Sequence, residues 1–394
     1  MTVPPLIDSA PVLHELITRA HDCTAVALDT EFVWERTYAP HLGVVQLALG
    51  PDDCHLIDAV ALPSLEPLGQ LLADAKVVKI LHDAPQDLTI LQRATGAEPR
   101  TIFDTRTAAG FGGLESTLSL GNLLLELSDV VLIKDEQRSN WLARPLSPKQ
   151  ATYAAADVAH LHRARELLLQ RAAPHRAWLE DEMARFDEPG YCADPDPSVY
   201  YKRIKKGRSL PPPGQAVLRA LATWRETQAQ RRDRPRGHII PDNILALIAR
   251  CRPATADELE QIDGLSPRAA QRYGGTLLQL VAQAQASDPD SWPQPAGTAA
   301  DFETLESRTN QTLKAIRSHA EELGIDPALV TPRAGVQQLI TQGKDALDSD
   351  HLLLQGWRRE FLGDDLLELL IGQEPLRLVS RRRSRGPRRR NRSS

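Results

Sequence analysis

Three runs rich in apolar and β-branched residues, 25–32, 43–49 and 55–59, follow one another with only short polar or Pro-containing segments between them. This spacing predicts three consecutive antiparallel strands. Strands and helices then alternate: helical spacing over 65–73, a buried strand at 77–81, a helix over 84–94 and a strand at 101–105. Helical patterns return over 116–127 and 148–171, the second with a clear start, in which Ser147 is the N-cap, Pro148 the first helical residue and Gln150 the third. After residue 173 the strand signals stop. Residues 189–198 are rich in Pro, Gly and Asp and read as a linker. Helical periodicity alone fills 210–286, is interrupted over 287–300 by Pro289, Pro293, Pro295 and Gly297, and resumes over 302–372. The two helical stretches look like distant repeats, Val217-Leu218-Arg219-Ala220-Leu221 in one answering Thr312-Leu313-Lys314-Ala315-Ile316 in the other. Each suffices for a small bundle but not for a deep pocket. The expected organisation is an α/β domain over 1–175, a linker over 176–209, a helical domain over 210–286, a linker over 287–300, a second helical domain over 301–374 and a tail over 375–394.

Composition adds little until charge is considered. The 394 residues are 42% hydrophobic and 25% charged, which is ordinary for a soluble globular protein. Residues 1–10 lack a basic region followed by an apolar run, and no stretch is long and apolar enough to span a bilayer, so neither a secretory signal nor a membrane association is expected. The four cysteines stand singly, without a CxxC pair, which argues against a zinc site or a disulfide framework and for a reduced, cytoplasmic setting. The net charge of −5 hides an asymmetry: residues 381–394 hold eight arginines and no acid, and 202–236 hold eleven Lys or Arg against Glu226 and Asp233. Two basic zones on an acidic chain suggest a polyanion gripped locally; taken alone, each zone is equally well a solvated surface.

The candidate chemistry is carried by carboxylates. In Leu28-Asp29-Thr30-Glu31-Phe32, strand alternation puts Asp29 and Glu31 on one face and Leu28, Thr30 and Phe32 on the other. Paired acids on an otherwise apolar strand repel each other and resist desolvation, and a cation relieves both penalties. In Leu81-His82-Asp83-Ala84-Pro85-Gln86-Asp87, spacing alone lets either aspartate reach a metal; a capping role for Asp83 leaves Asp87 as the better candidate ligand. Tyr153 and Asp157 are four apart on a helix and share a face, a pairing that by itself is more often structural. His82 is expected to pack under the site and Asp104 to cap or accept a hydrogen bond.

Together these residues resemble the DEDD exonuclease superfamily, in its tyrosine subclass, and within it the ribonuclease D family. The resemblance extends to Thr37-Tyr38-Ala39-Pro40-His41-Leu42-Gly43, Gln46-Leu47 and Ser139-Asn140-Trp141-Leu142-Ala143-Arg144-Pro145-Leu146-Ser147. Leu218, Trp224-Arg225, Ile240-Pro241-Asp242 and Tyr273-Gly274 are similar to an HRDC domain, and 302–372 to a diverged second copy. The resemblance implies a ribonuclease H-like α/β exonuclease domain, a mixed sheet flanked by helices, followed by two small all-α HRDC-like bundles. It implies hydrolysis of RNA from a free 3′ end, with tRNA precursors as the expected substrate and nucleoside 5′-monophosphates as products. Two divalent cations, Mg²⁺ or Mn²⁺, are implied as cofactors. Asp29, Glu31 and Asp157 would hold one, Asp29 and Asp87 the other, and Tyr153 would orient the attacking water. Trp34, Tyr38, Arg225 and Tyr273 are the weaker candidates for substrate contact.

Two other readings are a DNA exonuclease of the same superfamily, since no residue type here senses a 2′-hydroxyl, and a non-catalytic RNA-binding scaffold. The intact set of four carboxylates and a tyrosine speaks against the scaffold. The Arg-rich tail is expected to be disordered when free and to pair with phosphates. Deleting 381–394 should flatten the salt dependence of single-stranded RNA binding by roughly 2–3 in log–log slope, if three or four phosphates are engaged. It should leave single-turnover cleavage at saturating RNA unchanged. Equal slopes with and without the tail would remove it from RNA binding.

Overall fold

The computed structural model describes residues 4–132, 136, 138–207, 209–293 and 299–372; the Arg-rich tail lies outside them. The described residues form two compact units. The first holds those of 4–194, 311–336 and 345–372, and the second those of 195–310 and 337–344.

The first unit is built on a six-stranded mixed sheet. In chain order its elements are β1 (Leu6–Ile7), α1 (Ala10–His21), β2 (Ala25–Val33), β3 (His41–Gly50), β4 (Asp53–Asp58), α2 (Glu66–Ala73), β5 (Val78–Leu81), α3 (Ala84–Thr95), β6 (Ile102–Asp104), α4 (Thr105–Phe111), α5 (Leu120–Ser128), α6 (Pro148–Ala159), α7 (Leu161–Arg171) and α8 (Arg176–Ala184). The strand order among the described residues is β1-β4-β3-β2-β5-β6. The three expected antiparallel strands are β2, β3 and β4, and β5 and β6 add on in parallel. β2 is thus central, bonded on both sides, and its Ala25 to Leu28 are buried.

The pattern 148–171 is two helices, because the chain breaks at His160 (φ −103, ψ −5). α6 opens with the expected capping box: the Ser147 hydroxyl accepts from the Gln150 N–H at 3.2 Å, and the Ser147 N–H donates to Gln150 Oε1 at 3.0 Å. α1, α4 and α8 were not expected. α1 does carry a legible pattern, burying Leu13, Leu16, Ile17 and Ala20 at helical spacing. α4 is seven residues long, too short to show periodicity. α8 falls inside the stretch expected to be linker, and its Leu179 and Met183 are buried.

One face of the sheet positions the site. Register places Asp29 beside Gln46 and Gln46 beside Leu56; one row further, Glu31 lies beside Val44 and Val44 beside Asp58. Paired residues of antiparallel strands point to the same side. α6 covers this face, and Val44, Leu56, Trp141, Ala151 and Ala154 form its core. The small alanines let the helix approach closely. Gly43 lets the segment before α6 approach as well, since a Cβ there would stand 2.4 Å from the Trp141 carbonyl oxygen.

That segment is latched by Arg144. Its Nε and Nη2 each reach an oxygen of Asp58 at 2.6 Å, and it also donates to the carbonyls of Gly43, Trp141 and Ala143 at 2.8–2.9 Å. Asp58 is 3% exposed as a side chain and accepts two further bonds from the Val60 and Ala61 N–H groups at 3.0 Å. Burial alone would raise the Asp58 carboxyl, but the hydrogen bonds from Arg144 and the two N–H groups hold it below the usual range.

The C-terminal helices are α14 (Ala299–Leu323), α15 (Arg333–Gln342) and α16 (Gly356–Ile371) in the numbering that follows α9 (Pro212–Arg231), α10 (Arg236–Ile239), α11 (Asp242–Cys251), α12 (Ala256–Glu260) and α13 (Pro267–Ala286) of the second unit. Residues 311–336 and 345–372 belong to the first unit. There Trp357 meets Phe111 edge-on at 4.9 Å, and Arg358 pairs with Glu182 of α8. The Asp326 N–H donates to the Gly110 carbonyl of α4 at 2.9 Å.

Arg144→Ala leaves Asp58 buried without its cation and should cost about 3 kcal/mol in urea unfolding at neutral pH. Because the Asp58 pKa is lowered in the fold, its contribution is present above the unfolded value of ~3.9 and is lost as pH falls through the lower folded value. The gap between wild type and variant should therefore narrow on acidification. A gap that does not change between pH 7 and pH 3 would show that the pair does not carry the stability.

Candidate active site

β2 delivers Asp29 and Glu31 to the face under α6, beyond the point where β5 stops pairing at Ala27–Ile80. α6 delivers Tyr153 and Asp157 to the same place, one helical turn apart. Carboxylate oxygens of Asp29, Glu31 and Asp157 all lie within 4.8 Å of one another, and each residue is half-buried. Hard, closely grouped oxygen donors of this kind suit a divalent cation such as Mg²⁺. The Tyr153 ring is set by the core, with Trp141 tilted against it at 6.1 Å.

The electrostatics carry the mark of this crowding. Burial, then Asp157, push the Asp29 carboxyl well above the ordinary range. Burial, then Asp29, Asp157 and Asp87, push Glu31 to about 9. A cation between these groups would favour their ionised forms and remove the repulsion.

Asp87 is delivered differently. It is 8% exposed, in the first turn of α3, and its carboxylate accepts a hydrogen bond from the Thr30 hydroxyl. Burial and then Asp29 raise its pKa, so it shares the field of the site. It stands outside the group of three whose oxygens meet. Thr30 is a residue that the alternation argument assigned only to the far face of β2; the partner of its hydroxyl comes from another element and leaves no local sequence signal.

Asp83 occupies the N-cap position of α3, but the expected cap bond is not formed. It sits in the left-handed region (φ 64, ψ 47), and its side chain bonds no helix N–H. Its carboxylate pairs with Arg106 instead, and its own N–H donates to Asp104 at 2.9 Å. An aspartate tolerates this conformation better than most residues. Asp104 is the acceptor it was expected to be, taking the Arg106 N–H at 3.1 Å and the Thr107 hydroxyl at 2.8 Å. Arg106 also donates to the Ser116 carbonyl at 2.6 Å, and the Ser116 N–H donates to Asp326 at 2.5 Å. His82 packs between Thr105 and the Leu118 carbonyl at 3.0 and 3.1 Å, and burial lowers its pKa.

Of the weaker candidates, Trp34 is 55% exposed in the loop after Glu31 and donates from Nε1 to the Tyr38 carbonyl at 3.1 Å. Tyr38 is half-buried beside it. Arg225 must be withdrawn as a substrate contact. It is 1% exposed and donates to the Ile240 carbonyl at 3.0 Å and to Asp242 at 2.6 Å, so it ties α9 to α11 within the second unit. Tyr273 is half-buried; its hydroxyl accepts from Arg232 at 2.9 Å, and Arg232 and Arg272 flank its ring at 5.4 and 5.6 Å.

Comparison with known proteins gives the family. The sequence model of the 3′–5′ exonuclease family matches residues 6–172, and that of the HRDC domain matches 214–281. The chain is therefore a 3′–5′ exonuclease with an HRDC domain behind the catalytic one. It is 39% identical over 361 residues to ribonuclease D of Desulfotalea psychrophila, covering 91% of this chain and 96% of that one. It is 36% identical over 355 residues to ribonuclease D of Pseudomonas paraeruginosa, covering 88% and 92%. The crystal structure of Escherichia coli RNase D, described as an exoribonuclease involved in structured RNA processing, superposes with a TM-score of 0.83 at 31% identity, covering 93% of this chain and 98% of that one. The chain belongs to the ribonuclease D family and is a 3′–5′ exoribonuclease.

A Glu31 pKa of about 9 makes ionisation of the folded, metal-free protein costly. Its unfolded value is ~4.3, so the penalty is absent below that pH, grows above it and is complete near 9. Glu31→Gln should therefore raise the melting temperature in the presence of a chelator, and more at pH 8 than at pH 5. An equal or smaller gain at pH 8 would contradict the crowding of these carboxylates.

Proposed function

We propose that this exoribonuclease removes nucleotides one at a time from RNA with a free 3′ end, using two divalent cations, Mg²⁺ or Mn²⁺. The observation that carries the reading is the convergence of Asp29, Glu31 and Asp157 with oxygens within 4.8 Å of one another. In this reading those three residues hold one cation, Asp29 and Asp87 hold the other, and Asp29 is common to both. When bound, the ions supply an acidified water and neutralise charge on the scissile phosphate and the departing 3′-oxygen. Tyr153 orients that water through its hydroxyl. An ordinary phenol, pKa ~10, is too weak a base at neutral pH to deprotonate it unaided. Thr30 holds the Asp87 carboxylate by its hydrogen bond and so fixes the side of Asp87 that faces the site. The products are nucleoside 5′-monophosphates.

Trp34, exposed three residues past Glu31, and Tyr38 offer faces for terminal bases, a contact that tolerates any sequence. The Arg-flanked Tyr273 offers a further stacking surface in the HRDC domain. We assign the exonuclease domain to 1–175 and the HRDC domain to 210–286. The C-terminal helices of 301–374 we assign to a diverged second HRDC-like domain. Precursors of tRNA, with extra residues beyond the mature 3′ end, are the proposed substrates. The proposed setting is the cytoplasm; no helix among the described residues is long and apolar enough to cross a membrane.

The test uses 5′-labelled single-stranded RNA, with and without a 3′-phosphate, in Mg²⁺, Mn²⁺ or chelator. A ladder shortened from the 3′ end in either metal, and none in chelator, is expected. Asp29→Asn should nearly abolish it with the fold intact, while Tyr153→Phe should lower turnover and leave Mn²⁺ affinity unchanged. Near wild-type turnover by Asp29→Asn would sink the two-cation assignment.

A further inference from the structure

Gln46 sits in the middle of β3, in register with Asp29 on β2 and with Leu56 on β4. Directly paired side chains on antiparallel strands share a face, with Cβ atoms about 5 Å apart. Gln46 therefore lies on the face of Asp29 and Glu31, beneath α6. It is 0% exposed, and neither its Nε2 nor its Oε1 has a hydrogen-bond partner. Leaving a buried polar group unmatched costs about 1–3 kcal/mol, whereas an apolar side chain of the same length would fill this space without that penalty.

The neighbours on this face do not account for the amide N–H. Val44, Leu56, Ala151 and Ala154 are apolar, and Trp141 brings only an indole N–H, a donor that is itself without a partner and can accept nothing from Gln46 Nε2. Asp58, the polar group on the adjacent row, is taken by Arg144 and by two backbone N–H groups. The polar group that register sets directly beside Gln46 is the carboxylate of Asp29.

We infer that Gln46 is a positioning residue for the cation site, its Nε2–H donating to the Asp29 carboxylate when that site is loaded. The inference rests on the two-cation reading above. A carboxylate that ligates a cation keeps lone pairs for an outer donor, and such a donor fixes the orientation of the ligand. An amide suits the task because it is neutral. A Lys or Arg at this position would compete with the cations for Asp29. The residue acts through Asp29 and has no contact with substrate in this scheme.

Gln46→Met preserves length and volume and removes both polar atoms. Two quantities are measured on the full-length protein: the urea midpoint in chelator, and the Mn²⁺ affinity of the metal-free protein by titration calorimetry. The expected result is an unchanged or higher midpoint together with Mn²⁺ affinity about tenfold weaker, the usual scale for an outer-shell partner. Turnover at saturating RNA should fall while KM for RNA holds. A lower midpoint with unchanged Mn²⁺ affinity would mean that the amide serves only the fold, through buried water, and would overturn the inference. Gln46→Asn keeps the amide but shortens its reach by one methylene; it should lose Mn²⁺ affinity to a similar degree, and wild-type affinity there would count against the inference. A folded wild type that binds no Mn²⁺ would remove the cation reading and this inference with it. A wild type that binds Mn²⁺ beside a Gln46→Met that binds it equally well would remove the inference alone.

Discussion

Three carboxylates held within 4.8 Å of one another, half out of water, set the terms for the rest of the first unit. Their mutual repulsion and desolvation oppose folding, and the shifts of Asp29 and Glu31 express that opposition. The group persists because the elements that carry it are held by interactions independent of it. β2 is fixed between β3 and β5 by backbone bonds and a buried apolar N-terminal half. α6 is fixed by its capping box, by the Trp141 cluster and by the Arg144–Asp58 latch just upstream. A site of this kind stores unfavourable electrostatics that a cation can release on binding.

The fourth carboxylate is supported by another route. Asp87 rides on α3, whose entry at Asp83 is left-handed and held from two directions, by the Asp104 carboxylate and by Arg106. Arg106 in turn bonds the Ser116 carbonyl, and the Ser116 N–H bonds Asp326, some two hundred residues further along the chain. The C-terminal helices of the first unit thus touch the framework on which α3 begins. With Glu182 bound by Arg358 and Phe111 met by Trp357, that attachment is both polar and apolar. The consequence is that residues 311–336 and 345–372 brace the unit that carries the four carboxylates.

The sequence by itself determined whatever depends on short-range periodicity. Strand alternation put Asp29 and Glu31 on one face, helical spacing put Tyr153 and Asp157 on one face, and Ser147-Pro148-Lys149-Gln150 announced the start of α6. The helical spacing of α1 was there to be read as well. Such features follow from bond geometry repeating every two or 3.6 residues, so they survive without knowledge of the fold.

Only the tertiary structure decided the pairings between elements. Thr30 bonds Asp87, Asp83 bonds Arg106 instead of capping its helix, and Arg225 turns inward to Asp242. It also decided that Gln46 lies beside Asp29, and that residues 311–336 and 345–372 belong to the same unit as the sheet. A polar side chain near a helix end or on a strand has several partners within chemical reason. Which one it takes depends on what long-range packing brings within about 3 Å, and no local pattern encodes that distance.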